Sequence, residues 1–407
     1  MKKILCPACG GDTKRNGKTS SGATRWRCKA CGASTTQRYD NEPKLLELFL
    51  RWLLSKKTQG EFGMPGRTFR HLTNKFWDLW PVAPVCDEVH HVVEVDGLWL
   101  GRDVVIMIAC TEKHVIGWHL ARSENAQAWA ALMARIAPPD VVITDGGKGF
   151  EKARRAVWPN TRVQRCVFHA FCQVKRQTTT RPRLQAGVEL YGIAKKLMRI
   201  GSLNEAAEWL AGFSNWCTAW EGFLKEKEVV DGRIRYKHER LRTARGGLLK
   251  LCRAGTLFTY LDEGLLEGGP VPATTNRIEG GVNAQIRHML REHRGLRLTR
   301  RVKAAFWWCY MDLEARASPK EILKEMPTDV LIAEFYRAAA EASEKDEAVG
   351  AGALLCNGMT CMQAALIAWI TIRLWTHFLA YNPRCRVARA AGIKKWDANV
   401  PKKDKGF

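Results

Sequence analysis

The fold of this chain is decided by one stretch, VVITDGGKGFEKARRAVWPNTRVQRCVFHAFC, which spans residues 141–172. It begins as a short apolar strand and reaches an acid, Asp145, that two glycines and a lysine follow. A strand that ends in Asp-Gly-Gly presents a carboxylate at the C-terminal edge of a sheet, where a ligand can reach it. On its own, an Asp in this position is more often a turn former or a helix N-cap. Asp145 indicates a site only if other acids meet it.

Two other acids are candidates for meeting Asp145. Asp96 lies in an alternating stretch in which Val93 and Val95 share one face and Glu94 and Asp96 share the other, as expected for a strand. Glu279 lies in a predicted helix that Thr274 or Thr275 can cap. A polar stripe at three- and four-residue steps marks one face of that helix: Asn276, Glu279, Asn283 and Arg287.

Three carboxylates from two strands and a helix form a suitable ligand set for divalent cations. Carboxylate oxygens suit Mg²⁺ or Mn²⁺. Two such ions about 4 Å apart activate water and stabilise the leaving oxygen in phosphodiester cleavage. The sequence therefore predicts a two-ion site at Asp96, Asp145 and Glu279.

Charge points to a polyanionic partner. The chain has 407 residues, enough for two or three domains, and a formal net charge of +24. Lysine and arginine displace counterions from a phosphate backbone, so we expect DNA rather than only a basic surface. The N-terminus lacks the apolar core of a signal peptide. We expect a cytoplasmic, nucleoid-associated protein with reduced thiols.

Four of the 14 cysteines form a metal-binding pattern in residues 1–36. Cys6, Cys9, Cys28 and Cys31 make two CxxC pairs with the spacing of a structural zinc site, and a redox dithiol explains two pairs poorly. Arg25, Trp26 and Arg27 lie on the second arm, where basic residues beside an aromatic ring suit nucleic acid but also a solvated face. The sequence predicts a zinc ribbon.

Residues 41–82 have two helical patterns, and residues 81–84 read as a linker. The second pattern is basic, with Arg67 and Arg70, which favours a DNA-binding helix-turn-helix over an ordinary helical hairpin. Next, residues 88–180 give the order β-β-β-α-β-α-β-α, which predicts an α/β sheet with helices on both faces. With acids on the first and fourth strands, this order resembles the ribonuclease-H-like fold.

The combined motifs resemble the DDE transposases of bacterial insertion sequences, in the mutator-like group. The resemblance rests on Val95-Asp96-Gly97, Thr144-Asp145-Gly-Gly-Lys-Gly149, Gln164-Arg-Cys166-Val-Phe-His169 and Thr275-Asn-Arg-Ile-Glu279-Gly-Gly-Val-Asn283. It implies a catalytic triad of Asp96, Asp145 and Glu279, and a Cys-x-x-His motif, Cys166 and His169, that orders the site. It also implies DNA cleavage and strand transfer at terminal inverted repeats.

Several nearby residues have more than one interpretation. Cys166, His169 and Cys172 can hold zinc only with a fourth ligand that is not evident, so we favour a supporting role for Cys166 and His169, with Asn283 beside them. Lys148 fits a phosphate contact and a solvated loop equally well. Arg287, Arg291 and Arg294 follow the predicted site, where a DNA-backbone contact is favoured over a solvated face.

The remaining segments complete the predicted organisation. Residues 181–271 are too long for one crossover and resemble the family's all-α insertion, which divides the core into 88–180 and 272–315. Within it, Trp216 or Trp220 fits base stacking less well than core packing. Residues 316–407 form a helical tail of unknown role, and charges interrupt its apolar stretch at residues 354–379, against a membrane span.

The sequence as a whole predicts a transposase that acts at least as a homodimer. A domesticated, non-catalytic DNA-binding regulator is the alternative, and a nuclease without strand transfer is a second one.

Overall fold

The computed structural model describes residues 4–36, 40–334 and 337–338. The predicted apolar helix at 354–379 and the basic residues after it lie outside these ranges. Residues 4–36 form an antiparallel three-stranded sheet. Its strands are β1 (Thr13–Lys18), β2 (Thr24–Cys28) and β3 (Ser34–Thr36). Within residues 4–36 only Cys6 and Cys28 are buried, so this sheet has no hydrophobic core of its own.

Two helices follow, as the apolar pattern predicts: α1 (Glu42–Leu53) and α2 (Gly66–Thr73). Phe49, Trp52 and Phe69 are buried between them. The residues after α2 are fixed by Lys303, whose buried Nζ donates to the carbonyl of Trp77 at 2.5 Å. Residues 81–84, which read as a linker, follow this anchored segment.

A five-stranded mixed sheet occupies the centre of the molecule and confirms the predicted mixed α/β class. Its elements follow the predicted order: β4 (Val92–Leu100), β5 (Val104–Cys110), β6 (Val115–Ala121), α3 (Ala126–Met133), β7 (Val141–Thr144), α4 (Lys148–Val157), β8 (Arg162–Arg165) and α5 (Val167–Thr178). The spatial order is β6-β5-β4-β7-β8. The first three strands are antiparallel, and β4, β7 and β8 are parallel.

The segment 181–271 is mainly helical but not all-α, so that part of the prediction is wrong. It contains α6 (Gln185–Lys196), α7 (Leu203–Ala219), α8 (Glu221–Lys225), β9 (Lys227–Val230), β10 (Arg233–Tyr236), α9 (Glu239–Ala254) and α10 (Glu263–Leu266). The two strands form a hairpin around Asp231-Gly232, both with positive φ (51° and 70°). Asp-Gly with this backbone is the two-residue turn that closes a hairpin, because its twist matches that of the strands.

The helix that carries Glu279 also differs from the prediction, because residues Arg277–Asn283 form a π-helix. Three α-helices follow: α11 (Ala284–Glu292), α12 (Leu298–Met311) and α13 (Pro319–Glu325). The wider turn separates the predicted polar stripe, so that Asn283 is buried and Arg287 is exposed. Neither Thr274 nor Thr275 caps this helix with its side chain.

Helices cover both faces of the sheet, as predicted. On one face, Val93 and Val95 pack with residues of α3 and α4. On the other, Leu98 and Leu100 pack with residues of α1, α2 and α12 in one continuous core. Because both faces are covered, every residue of β5 is buried. The acids thus lie on strands that the surrounding core holds in place.

Candidate active site

Asp96 and Asp145 lie side by side on neighbouring strands. In the parallel pair of β4 and β7, Val95 is opposite Thr144. The residue that follows each of them in the sequence is an acid, and both acids are half-buried. Parallel register therefore brings together two acids that are 49 positions apart in sequence.

The glycines after Asp145 serve the close packing of this edge. Gly146 has a φ of 79°, and a Cβ there would lie 1.7 Å from a guanidinium nitrogen of Arg165. A Cβ on Gly149 would lie 2.5 Å from the backbone carbonyl oxygen of Glu124. Both positions are open to glycine alone, because a methyl group would meet Arg165 in one case and main chain in the other.

The π-helix brings Glu279 and Asn283 over the strand acids. Asn283 Nδ2 donates a hydrogen bond of 2.7 Å to Asp96 Oδ2. Thr275 Oγ1 donates to the Glu279 carboxylate. The insertion of an extra residue into a helical turn is frequent at functional sites, because it redirects a side chain without ending the helix. Here it directs Asn283 inward, onto Asp96.

Cys166 and His169 lie beside Glu279. His169 Nδ1 is 3.3 Å from Glu279 Oε1, and the Cys166 thiol accepts from the backbone N–H and the Oγ1 of Thr275 at 3.4 and 3.3 Å. The ligand atoms of Cys166, His169 and Glu279 all lie within 4.8 Å of one another. Cys172 is not part of this group and packs instead against the helical core of 181–271.

Burial and mutual repulsion make the charged forms of the acids at this site unfavourable. Burial, then the neighbouring Asp145, raises the pKa of Asp96 to about 7. Burial also raises the pKa of Asp145, although Arg165 and His169 oppose that shift. The Cys166 side chain, outweighing burial, raises the pKa of His169, and the Glu279 charge adds to it. The acids here disfavour their charged forms unless cations compensate them.

The donor set suits divalent cations. Three carboxylates offer hard oxygen ligands, and their repulsion is the kind that Mg²⁺ or Mn²⁺ relieves. Among the described residues, the three acids do not form a group whose ligand atoms all lie within 4.8 Å.

Three residues at the site were not among the predicted site residues: Glu94, Glu124 and Arg165. Glu94 Oε2 accepts from the backbone N–H of Ile278 at 3.0 Å, which anchors the π-helix to β4, and burial raises the pKa of Glu94 to about 7. Glu124 accepts from Trp99 Nε1 at 2.7 Å and influences the pKa of Asp96. The alternation Val93-Glu94-Val95-Asp96 was a usable signal for Glu94 only.

Arg165 is the most unusual of the three. It is 8% exposed, and its Nε and one terminal nitrogen are buried without a hydrogen-bond partner in the part of the chain that the structure describes. Its positive charge favours the ionised form of Asp145. An unpaired buried guanidinium beside an acid cluster acts as a fixed countercharge.

The four predicted zinc ligands also come together. Three Sγ–Sγ distances in this cluster are 3.4, 3.5 and 3.6 Å. Four thiolates arranged tetrahedrally at 2.3 Å from zinc lie about 3.8 Å apart, so the cluster fits the ion. The backbone N–H of Cys31 is the main cause of the low Cys28 pKa, about 6. At Cys9 the backbone N–H of Gly11 lowers the pKa, but the Cys31 and Cys28 thiols raise it to about 12. Without a metal the cluster therefore disfavours four thiolates together, and metal binding would release the remaining protons.

The predicted DNA-binding residues lie on several surfaces. Arg25 and Arg27 are exposed on one face of β2, whereas Trp26 is half-buried with the Arg15 guanidinium 5.6 Å from its ring. Arg67 and Arg70 are exposed on α2, and Arg287 and Arg291 on α11, with Arg294 after it. Arg70 and Arg294 both line a cavity of about 370 Å³ between α2 and the end of α11. The arginines predicted on α2 and those predicted after Glu279 therefore meet at this cavity, through Arg70 and Arg294.

A wide basic cleft opens beside Asp145. It has a volume of about 1400 Å³ and is bordered by Thr144, Lys148 and Lys152 on one side and by Lys250 of α9 on the other. Lys148 is exposed at its rim. Trp216, by contrast, is buried and donates to the carbonyl of Ala186, while Trp220 donates to Glu189. Core packing explains Trp216.

Comparison with known proteins confirms the predicted resemblance. Residues 85–224 match the family described as "Transposase, Mutator family". A probable transposase for an insertion sequence element from Corynebacterium diphtheriae is 36% identical over 76 residues, 17% of this chain and 22% of that protein. The transposase for insertion sequence element IS905 of Lactococcus lactis subsp. lactis (strain IL1403) is 24% identical over 131 residues, 31% of this chain and 32% of the relative.

These matches cover only part of the molecule. The chain spans about a fifth and a third of the length of these two relatives. The matched family region contains Asp96, Asp145, Cys166 and His169 but ends before Glu279. The link from Glu279 to the site therefore rests on its proximity to His169 and on the hydrogen bonds of Ile278 and Asn283 to β4. Separately, no helix in the described ranges is long and apolar enough to cross a membrane.

Proposed function

We propose that this mutator-like chain is a DDE-type DNA transposase, and that Asp96, Asp145 and Glu279 are its catalytic carboxylates. The observation that carries the proposal is the side-by-side position of Asp96 on β4 and Asp145 directly after β7. The Glu279 helix is hydrogen-bonded to β4, and Glu279 Oε1 lies 3.3 Å from His169 Nδ1. The strand order and both-sided helix packing further support a ribonuclease-H-like core, divided by the segment 181–271.

In this proposal each residue has a distinct task. The three acids hold two divalent ions, which when bound activate the attacking oxygen and stabilise the leaving one. Asn283 fixes the orientation of the Asp96 carboxylate, and Thr275 and His169 fix that of Glu279. Water attacks first at each element end, and the freed 3′-hydroxyl then attacks target DNA in the same site. Lys148 stands at the rim, where it can contact phosphate.

DNA recognition falls to other surfaces. The zinc ribbon and the helix-turn-helix of residues 41–82 would read the terminal inverted repeats, with Arg67 and Arg70 exposed toward DNA. Arg287, Arg291 and Arg294 would contact the backbone beside the site. Joining two ends requires at least two copies of the chain, acting in the cytoplasm on the nucleoid. The high positive charge of the chain supports the DNA partner.

A strand-transfer reaction tests the proposal. The purified protein, Mg²⁺, a labelled duplex from either flank of the encoding gene and a supercoiled plasmid are combined. We expect wild type to join the labelled 3′ end to the plasmid. Asp145→Asn keeps the shape of the side chain but removes a ligand charge, and should reduce joining by at least about 10²-fold.

The matched control is Asp103→Asn, because Asp103 is an exposed acid in the turn between β4 and β5. It should join DNA at the wild-type rate. If Asp145→Asn joined DNA as well as the control, the triad would be wrong. Binding without any cutting by wild type would favour the regulator, and cutting without joining would favour the nuclease.

A further inference from the structure

The β9–β10 hairpin is a feature that the proposed catalytic reaction does not use. Its strands are four residues each, so it extends about 13 Å from the helices at its base. Of its eight strand residues only Val230 is not exposed. A two-stranded hairpin is only marginally stable in water, so an exposed hairpin calls for a functional explanation.

The two faces of the hairpin differ in chemistry. Register places Val229 opposite Ile234, and these side chains are 71% and 70% exposed. The other face carries Arg233 and Arg235, with Glu228 opposite Arg235. Neither arginine has an ion-pair or hydrogen-bond partner among the residues that the structure describes. Nearby charges differ in this respect, because Lys225 pairs with Glu221 and Lys237 with Glu226.

The base of the hairpin is held in a fixed direction. Tyr236 lies under the Arg242 guanidinium of α9, 3.5 Å from the ring centroid. The backbone N–H of Lys237 also donates to the carbonyl of Glu226 at 3.0 Å. The apolar pair and the two arginines are therefore presented outward together by a tethered base.

We propose that this hairpin is a DNA-binding wing that contacts duplex DNA beside the reacting end, an inference that rests on the proposed function. A two-stranded ribbon fits a DNA groove, arginines can contact both flanking backbones, and an exposed aliphatic pair can enter the groove or press between base steps. Lys227, Arg233 and Arg235 outnumber Glu228 and Asp231 in the hairpin, and this net positive charge complements phosphate.

A second copy of the chain suits this surface less well. An edge that joins another strand is flat and uncharged, whereas natural proteins place Lys and Arg on edges that must stay unpaired. Here Lys227 begins one edge strand, and Arg233 and Arg235 occupy the other. The charges thus disfavour pairing with another sheet and favour a polyanion.

The position of α9 relates the hairpin to the candidate active site. This helix begins directly after the hairpin and spans 16 residues, about 24 Å. Just beyond its far end, the Thr256 carbonyl accepts the backbone N–H of Arg165, next to Asp145. The length of α9 therefore separates the hairpin from the acids, so the wing would contact the duplex several base pairs from the reacting phosphate.

Salt-dependent binding tests the wing. Anisotropy of a labelled 40-base-pair duplex from the gene flank would be measured with full-length protein and zinc, without Mg²⁺, from about 50 to 200 mM salt. Arg233→Gln with Arg235→Gln should lower the slope of log K against log salt by about two, since each phosphate contact contributes about 0.9. Val229→Thr with Ile234→Thr should weaken binding several-fold at an unchanged slope.

The matched control removes two exposed charges elsewhere in the same segment, by Lys195→Gln with Arg199→Gln. It should keep the wild-type slope. Hydroxyl-radical footprints should lose protection in the duplex several base pairs from the end in the arginine variant only. Arginine variants that bind with the slope and footprint of the control overturn the proposal, as do variants that change only the oligomeric state in sedimentation.

Failure of the wing and failure of the proposed function give different results. Binding is measured without the cleavage and joining reactions. A protein that never joins DNA but shows the arginine-dependent slope would therefore contradict the transposase activity and leave the wing supported. A chain that joins DNA while its arginine variants bind like the control defeats the wing alone.

Discussion

The cysteine cluster and the acid cluster are both candidate metal sites, but they are built in opposite ways. In the first, the ligands make the fold, because Cys6 and Cys28 are the only buried residues of residues 4–36. In the second, the fold holds the ligands, because a sheet with both faces covered keeps Asp96 and Asp145 together. A metal would thus contribute structure at one site and relieve repulsion at the other.

This difference predicts the largest effect, which is loss of the ribbon on removal of zinc or in Cys28→Ser. Small cysteine-ligated zinc modules lack a folded metal-free state, because binding supplies their folding free energy. Hydrogen exchange measured by mass spectrometry should show complete loss of amide protection in residues 4–36. Protection of β4, β5 and β7 should be unchanged.

Cys86→Ser is the control for the cysteine substitution, because Cys86 lies outside both clusters. It should retain protection throughout the ribbon. Ribbon protection that survives chelation would mean that the strands fold without their ligands, and the contrast between the two sites would be lost.

The same difference explains what could be predicted from the sequence. The cysteine pairs are local, and β7 has the predicted bounds because its apolar run ends at Asp145. The proposed partners of Asp145 could be predicted because acid residues on strands and helices leave a pattern, and the structure places Asp96 beside Asp145. The hairpin also had a signal, Asp231-Gly232 between alternating residues, but the helical periodicity on either side masked it.

Other features depend on tertiary contacts that no local pattern encodes. A π-helix differs from an α-helix in that each backbone N–H bonds to the carbonyl five residues earlier instead of four. The spacing of Glu279 and Asn283 in the sequence fits an α-helix equally well. Arg165 reaches the site only because Gly146 leaves room for its guanidinium. Glu124 lies in the loop before α3 and influences the pKa of Asp96 only because the fold brings the two charges near each other.

The acid cluster predicts an intermediate effect for Asp96→Asn, with activity and stability changing in opposite directions. The folded-state pKa of Asp96 is about 7, above its unfolded value of about 3.9. Between these values the native state binds more protons, so metal-free stability falls as pH rises from about 4 to 7 and stays low above that.

Asp96→Asn removes this penalty at pH 8, and should raise metal-free stability there by about 1–2 kcal/mol while joining activity falls at least about 10²-fold. Stability at pH 4 should change little. Calorimetric melting at the two pH values, with Asp103→Asn as control, measures the difference. Equal pH dependence in Asp96→Asn and the control would refute the picture of acids held together against repulsion.

The smallest effect is expected for Arg165→Gln, which tests whether the fold supplies a countercharge as well as a scaffold. Arg165 favours the ionised form of Asp145. Its loss should raise the Asp145 pKa further, so Mn²⁺ binding should need a higher pH, with affinity about 10-fold weaker near neutral pH.

Arg162→Gln is the matched control, since Arg162 lies on the same strand but is exposed and pairs with Asp262 at 2.9 Å. Calorimetric titration of Mn²⁺ between pH 6 and 8 separates the two variants. An unchanged pH midpoint in Arg165→Gln would show that the sheet holds the acids together without help from this charge, whereas a shift confined to Arg165→Gln would show that the buried guanidinium offsets part of their repulsion.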